Sequence, residues 1–310
     1  MTFSFYSDDT DIFPVFRLRN NQTQTEAVVY SFGGLLNAFI VNGQNVVDGF
    51  SSCRDAKENI TNGFKSCKLS PFVCRIPQGK YMFNDREYTT GKFFLGKEAI
   101  HGLIYDCLFE VTDSGADEKS AFVSMQYKYT KKDEGFPFSY ECAITYKLQD
   151  GNRLSVVTEV TNMSNDKMPL SDGWHPYFTL GNSVNDLQVQ INTNKLLEFD
   201  DRLVPTGKIL SYNKFQQPEL FGDTFLDNCF ILSDHNNPAC ILKNKTLQLS
   251  ILPDASYPYL QIYTPPHRKS IAIENLSSAP NAFNNKIGLI VLQAGERKKF
   301  STFIHVQSVE

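Results

Sequence analysis

The sequence predicts an all-β protein built from antiparallel strands, and three observations carry that prediction. From Pro71 nearly to the end, short runs of alternating apolar and polar residues are bounded by Gly, Asn, Asp and Pro. The composition is rich in aromatics, with 25 Phe and 14 Tyr, and these side chains favour the pleated surface of a sheet. No stretch sustains the 3.6-residue period of an amphipathic helix. The runs recur every 10 to 15 residues or so, roughly the rhythm of an antiparallel sandwich or barrel.

Taken in order, residues 14–19 and 27–50 read as early strands broken by Gly33-Gly34 and Asn42-Gly43. Asn-Gly between apolar runs marks a hairpin, with residues 39–41 and 45–47 as its arms. Residues 55–65 fit a short helix or a loop equally well. Residues 80–83 and 87–90 flank a tight turn at residues 84–86. Strands are predicted at 107–111, 121–129, 140–148 and 154–161, the last two joined through Asp150-Gly151-Asn152. Later runs fall at 187–191, 239–242, 247–251, 259–263, 270–273, 287–292 and 298–306. No Gly-rich phosphate loop follows a strand, and no fixed-period repeat suggests a propeller.

A chain of 310 residues is long enough for two domains. It nevertheless shows no Pro/Gly/Ser-rich linker and no break in composition, so one domain over residues 1–310 is expected. Hydrophobic residues make up 41%, sufficient for a large core. A net charge of −4 without a basic stripe gives no footing for nucleic acid. The seven Cys are odd in number, form no Cys-x-x-Cys pair and have no His cluster, which argues against disulfides and structural zinc. Reduced thiols, the absence of a leader-like amino terminus and the lack of any long apolar run predict a cytoplasmic protein with no membrane partner.

Reactive groups concentrate in four places, each read as a loop between strands. Arg75 is a lone charge amid the apolar run 71–77, and His101 precedes Gly102, a residue that permits close backbone approach. His175 sits in Asp172-Gly173-Trp174-His175-Pro176-Tyr177-Phe178, beside aromatics suited to stacking on a sugar ring. Glu274 closes an apolar strand, where desolvation would raise its pKa toward that of a neutral-pH base. Asp227 follows Leu226 in a segment that could equally hold a turn. Each residue alone also fits a structural role, as an ion pair, a satisfied core His or a strand-end charge.

In this order, Arg75-Ile76, His101-Gly102, His175 with Tyr177-Phe178, Asp227 and Glu274 make the chain resemble the aldose 1-epimerase (galactose mutarotase) family over residues 30–285. The resemblance implies a large antiparallel β-supersandwich. It implies Glu274 as the general base on the anomeric hydroxyl and His175 as the general acid at the ring oxygen. Arg75, His101 and Asp227 would bind sugar hydroxyls, and Trp174 would join the sugar wall. The implied partner is a small-molecule sugar, handled by a monomer or homodimer without cofactor or metal. The chain departs from the family pattern at Cys74, Leu103, Trp174 and Pro176, which leaves the sugar open. Two alternatives remain. One is a hexose-6-phosphate 1-epimerase using Arg86 or Arg268-Lys269 as a phosphate clamp. The other is a carbohydrate-binding protein without turnover.

Overall fold

Alternation in the sequence becomes alternation in burial, as the strand Ser139–Gln149 shows. Tyr140, Cys142, Ile144, Tyr146 and Leu148 are buried along one face, and the residues between them are partly exposed. Such a strand must lay its apolar face on a second layer. The structure, a computed structural model, describes residues 1–309. Strands account for 50% of the chain and helices for 6%, so the all-β prediction holds.

Two large sheets dominate. The nine-stranded one runs, in spatial order, Glu110–Ala116, Ser120–Thr130, Ser139–Gln149, Arg153–Asn162, Arg297–Ser308, Leu247–Pro253, Cys240–Lys243, Gln188–Ile191 and Glu219–Leu220. The eight-stranded one runs Pro205–Ser211, Lys195–Phe199, Asp227–Ile231, Tyr259–Tyr263, Ile271–Leu276, Gly173–His175 and Cys67–Leu69, with Tyr177–Phe178 also pairing to Ile271–Leu276. Every pairing between these strands is antiparallel. One apolar cluster joins the layers, with Ile144, Leu154, Leu249 and Ile304 from the first and Trp174, Leu260, Ile262 and Ile273 from the second. A separate five-stranded sheet begins with Phe3–Asp8 and ends with Gln44–Asn45.

The Asn42-Gly43 hairpin forms, but its second arm is Gln44–Asn45 and not residues 45–47. Asn42 and Gly43 have φ of 51° and 75° and join Leu36–Val41 to Gln44–Asn45, as the two positive φ values of a tight hairpin turn require. The turn between Lys80–Phe83 and Arg86–Thr89 is one residue shorter than predicted, and Arg86 heads its second arm. The undecided segment begins as a helix, Cys53–Asn59, whose Ser52 side chain accepts from Asp55 N–H.

Several expectations are corrected. Residues 107–109 lie before the strand Glu110–Ala116, which starts later than predicted. Lys195–Phe199 and Pro205–Ser211 were not predicted as strands. Glu274 lies within Ile271–Leu276 and not at its end. All six residues of that strand are buried, with Ile271 and Ile273 in the core between the sheets, Glu274 on the pocket and Leu276 in a second apolar cluster, so the usual alternation is hidden. Asp227 begins a strand, Asp227–Ile231, instead of holding a turn.

Candidate active site

The eight-stranded sheet carries the site on its outer face. Strand pairing sets Gln261 opposite Glu274 and Tyr263 opposite Asp227, and directly paired residues share a face. Gly173 pairs with Leu276, so His175, two residues on, shares the face of Glu274. Arg75 is on the short strand Arg75–Ile76, which pairs with Glu98–Ile100 and so brings Arg75 near His101. Three of the four places read as loops are therefore strand positions, and His101 alone lies between strands.

The backbone around His101 is tightly constrained. His101 and Gly102 have φ of 62° and 78°, and His101 N–H donates to the Cys74 carbonyl at 2.9 Å. A Cβ at Gly102 would lie 2.3 Å from the Ser70 carbonyl oxygen, so only glycine fits.

These elements enclose a cavity of about 310 Å³ whose lining includes Arg75, His101, His175, Asp227, Gln261 and Glu274. Five of the six predicted site residues thus converge. The sixth, Trp174, is a correction. Successive strand residues point to opposite faces, and Trp174 pairs with Asn275, whose side-chain amide reaches Thr302 Oγ1 in the nine-stranded sheet. Trp174 is buried in the inter-sheet core and its indole N–H donates to the Ser66 carbonyl at 3.1 Å. Tyr177 takes the place expected of it, lining the cavity and stacking on His175 with ring centroids 5.1 Å apart.

His175 Nε2 and Glu274 Oε1 are 3.2 Å apart. Burial pushes the His175 imidazole down to about 4 and raises the Glu274 carboxyl well above its usual range. Asp227 adds to the Glu274 shift and Arg75 opposes it. Burial also raises Asp227, against the Arg75 charge and a 2.7 Å hydrogen bond from Gln261 Nε2. His101 is held well below its ordinary value by burial first, then by His175 and Arg75. Its ring lies edge-on to His175 at 5.0 Å.

Among the described residues, ten buried side-chain atoms lack a hydrogen-bond partner, and four belong to this lining: His101 Nδ1, His175 Nδ1, Gln261 Oε1 and Glu274 Oε2. Buried polar groups are nearly always paired, so their concentration here marks a surface built for a polar molecule. Gln261 was missed in the sequence. Its signal was a polar residue between Leu260 and Ile262 in an otherwise apolar strand. A larger, more open depression of about 840 Å³ lies elsewhere, but its Lys65 is already paired with Asp48 at 2.7 Å and it holds no acid–base couple of this kind.

The family model for aldose 1-epimerase matches residues 14–305. The chain belongs to the aldose 1-epimerase family. It is thereby an isomerase by family. An uncharacterized protein, YihR, of Escherichia coli (strain K12) is 27% identical over 237 residues, 74% of each chain. An aldose 1-epimerase of Streptococcus thermophilus is 24% identical, the match covering 69% of this chain and 66% of that one. A galactose mutarotase-like protein from Clostridium acetobutylicum has the same fold, with a TM-score of 0.88 at 20% identity over 99% of both chains.

None of the cations weighed as a phosphate clamp lines this cavity. The Arg268 guanidinium donates to Asn185 Oδ1 and to the Gly222 and Thr224 carbonyls, Lys269 lines the larger depression, and Arg86 is exposed in its hairpin. Among the described residues no helix is long and apolar enough to cross a membrane, and no group of three or more His, Cys, Asp or Glu is arranged to hold a metal ion.

Proposed function

We propose that this protein interconverts the α and β anomers of a free aldohexose by acid–base ring opening. The observation that carries the reading is the 3.2 Å contact between His175 Nε2 and Glu274 Oε1 inside a cavity of monosaccharide scale, about 310 Å³. Ring opening takes a proton from the hydroxyl on C1 and gives one to the ring oxygen on the same carbon. A base and an acid in mutual contact suit two oxygens that share one carbon.

The couple also has the right proton inventory. With one proton between them, the residues are either carboxylate and imidazolium or carboxylic acid and neutral imidazole. The first form opens the ring: Glu274 takes the O1 proton as His175 protonates O5, and the C1–O5 bond breaks to give the aldehyde. That leaves the second form, which closes the ring in reverse after rotation about C1–C2. Either face of the aldehyde can be attacked, so both anomers form and the enzyme returns to its starting state. Burial, which disfavours either isolated charge, favours this one-proton state.

Arg75, His101 and Asp227, with Gln261 orienting the Asp227 carboxylate, supply hydroxyl-binding groups around the ring. Arg75 is the one lysine or arginine in the lining and it faces two carboxylates, which favours an uncharged sugar over a sugar phosphate. A binding protein would have no need of the His–Glu couple. The test is polarimetry on freshly dissolved α-D-glucose and α-D-galactose, with and without protein. Acceleration toward the equilibrium rotation is expected; saturable binding of either sugar with no acceleration would overturn the catalytic reading.

A further inference from the structure

We propose that Trp174 is a positioning residue for this pocket, acting from the sheet's far side through Ser66 and Phe64. Two bonds clamp Ser66 to the strand that carries His175. Ser66 N–H donates to the His175 carbonyl at 2.8 Å, and the Ser66 carbonyl accepts from Trp174 Nε1 at 3.1 Å. Between Gly63 and Ser66 the chain takes φ of 85° at Gly63, 53° at Phe64 and 54° at Ser66. Left-handed backbone at a Phe and a Ser persists only where the surroundings hold it. The indole N–H is one of those holds, and it is fully buried.

The strained segment is part of the site. Thr61, Gly63 and Phe64 line the cavity. The Phe64 ring packs on His101 at 4.7 Å between centroids, and its edge contacts reach Phe93 at 5.3 Å and Tyr105 at 5.1 Å. Phe64 thereby covers one face of the His101 imidazole, whose Nδ1 is buried, and limits the access of water to it. Without the indole donor, the Ser66 carbonyl loses its partner, the segment relaxes, and Phe64 leaves His101. Trp174 touches no reacting atom; it sets the position of a residue that lines the cavity.

The proposal rests on the anomer-interconversion reading for its kinetic test, so a second readout is independent of activity. Trp174 is the only tryptophan in the chain, so global incorporation of benzothienylalanine changes this side chain alone, exchanging the N–H for sulfur at nearly constant shape. The expected result is a rise in KM of about tenfold, the scale of one lost buried hydrogen bond, with circular dichroism unchanged. In sugar-free protein, NMR titration should show His101 protonating at higher pH than in the wild type as water reaches it. Phe64→Leu should give the same two changes, and the analogue should add nothing further in a Phe64→Leu background. Wild-type KM and His101 titration in the analogue, or losses that multiply in the combined protein, would overturn the proposal. If wild type itself turns over no sugar, the functional reading fails and the titration alone decides this one.

Discussion

His175 and Glu274 come from strands in one sheet and meet at 3.2 Å, both almost completely buried. Their contact follows from register: Gly173 pairs with Leu276, which sets His175 and Glu274 on one face of the sheet. Two ionisable groups in contact and out of water share their protons, so neither titrates alone.

Glu274→Gln and His175→Asn should each lower kcat by about 10²- to 10⁴-fold, the usual contribution of a placed proton-transfer group. The double variant should lose little beyond the worse single one, because the residues act as a couple. Polarimetry of the three proteins measures this directly, and full multiplication of the single losses would show independent action.

The pH dependence follows from burial. The active couple holds one proton, so activity should fall when it gains a second near pH 4, where His175 is placed, and again when it loses the first as pH rises through the raised Glu274 range. Stability moves differently. Glu274 is raised in the folded state, so its contribution is greatest below its unfolded value near 4.5 and is lost as pH rises. His175 is depressed, so its contribution is present above 6.5 and is lost as pH falls toward 4. Melting temperatures of Glu274→Gln should therefore exceed wild type at neutral pH and converge with it below about 4.5.

Arg75 is the cation that opposes the upward shifts of Asp227 and Glu274. Arg75→Met should raise KM by about 10- to 100-fold through the loss of a charged hydrogen-bond donor. It should also move the alkaline limb of the rate profile upward, since no cation in the lining then counters the two carboxylates. A variant with unchanged KM in a full rate–concentration series would remove Arg75 from the binding set.

Gly102→Ala should cost stability and activity together. The new Cβ would press on the Ser70 carbonyl at 2.3 Å, with φ at 78°, and backbone strain of this type costs about 1–3 kcal/mol. His101 shifts with that backbone. Chemical denaturation and sugar binding measured on the same sample should both weaken.

Behind the site, Lys68 Nζ meets Asp172 Oδ1 at 2.5 Å, and Tyr257 OH donates to the same oxygen at 2.7 Å. Lys68→Met strands a buried carboxylate and should destabilise the fold by about 3–5 kcal/mol, whereas Lys68→Met with Asp172→Leu should recover most of that loss. Equal destabilisation in both, by urea denaturation, would show that packing and not charge governs the site.

Much of this could be read along the chain, because the relevant physics is local. Asn42-Gly43 and Asp150-Gly151-Asn152 announce their hairpins through backbone freedom within two or three residues. The alternation of residues 139–149 states which face is buried. Strands with weak local signals were missed: Pro205–Ser211 is almost wholly exposed, so no buried face imposes a pattern on it. In the site, Arg75, His101, His175, Asp227 and Glu274 were legible as reactive types in a familiar order. Gln261 was hidden in an ordinary-looking strand, because its importance comes only from facing Asp227 and Glu274 across the sheet.

By itself, the sequence determined the strand-rich class, most hairpins, the family and five side chains of the cavity. Tertiary structure alone decided direction and proximity. In a strand, neighbouring residues face opposite ways, so His175 enters the cavity while Trp174, one residue earlier, turns into the core between the sheets. The pattern of residues names both; only the register of Gly173–His175 against Ile271–Leu276 says which of them faces the cavity.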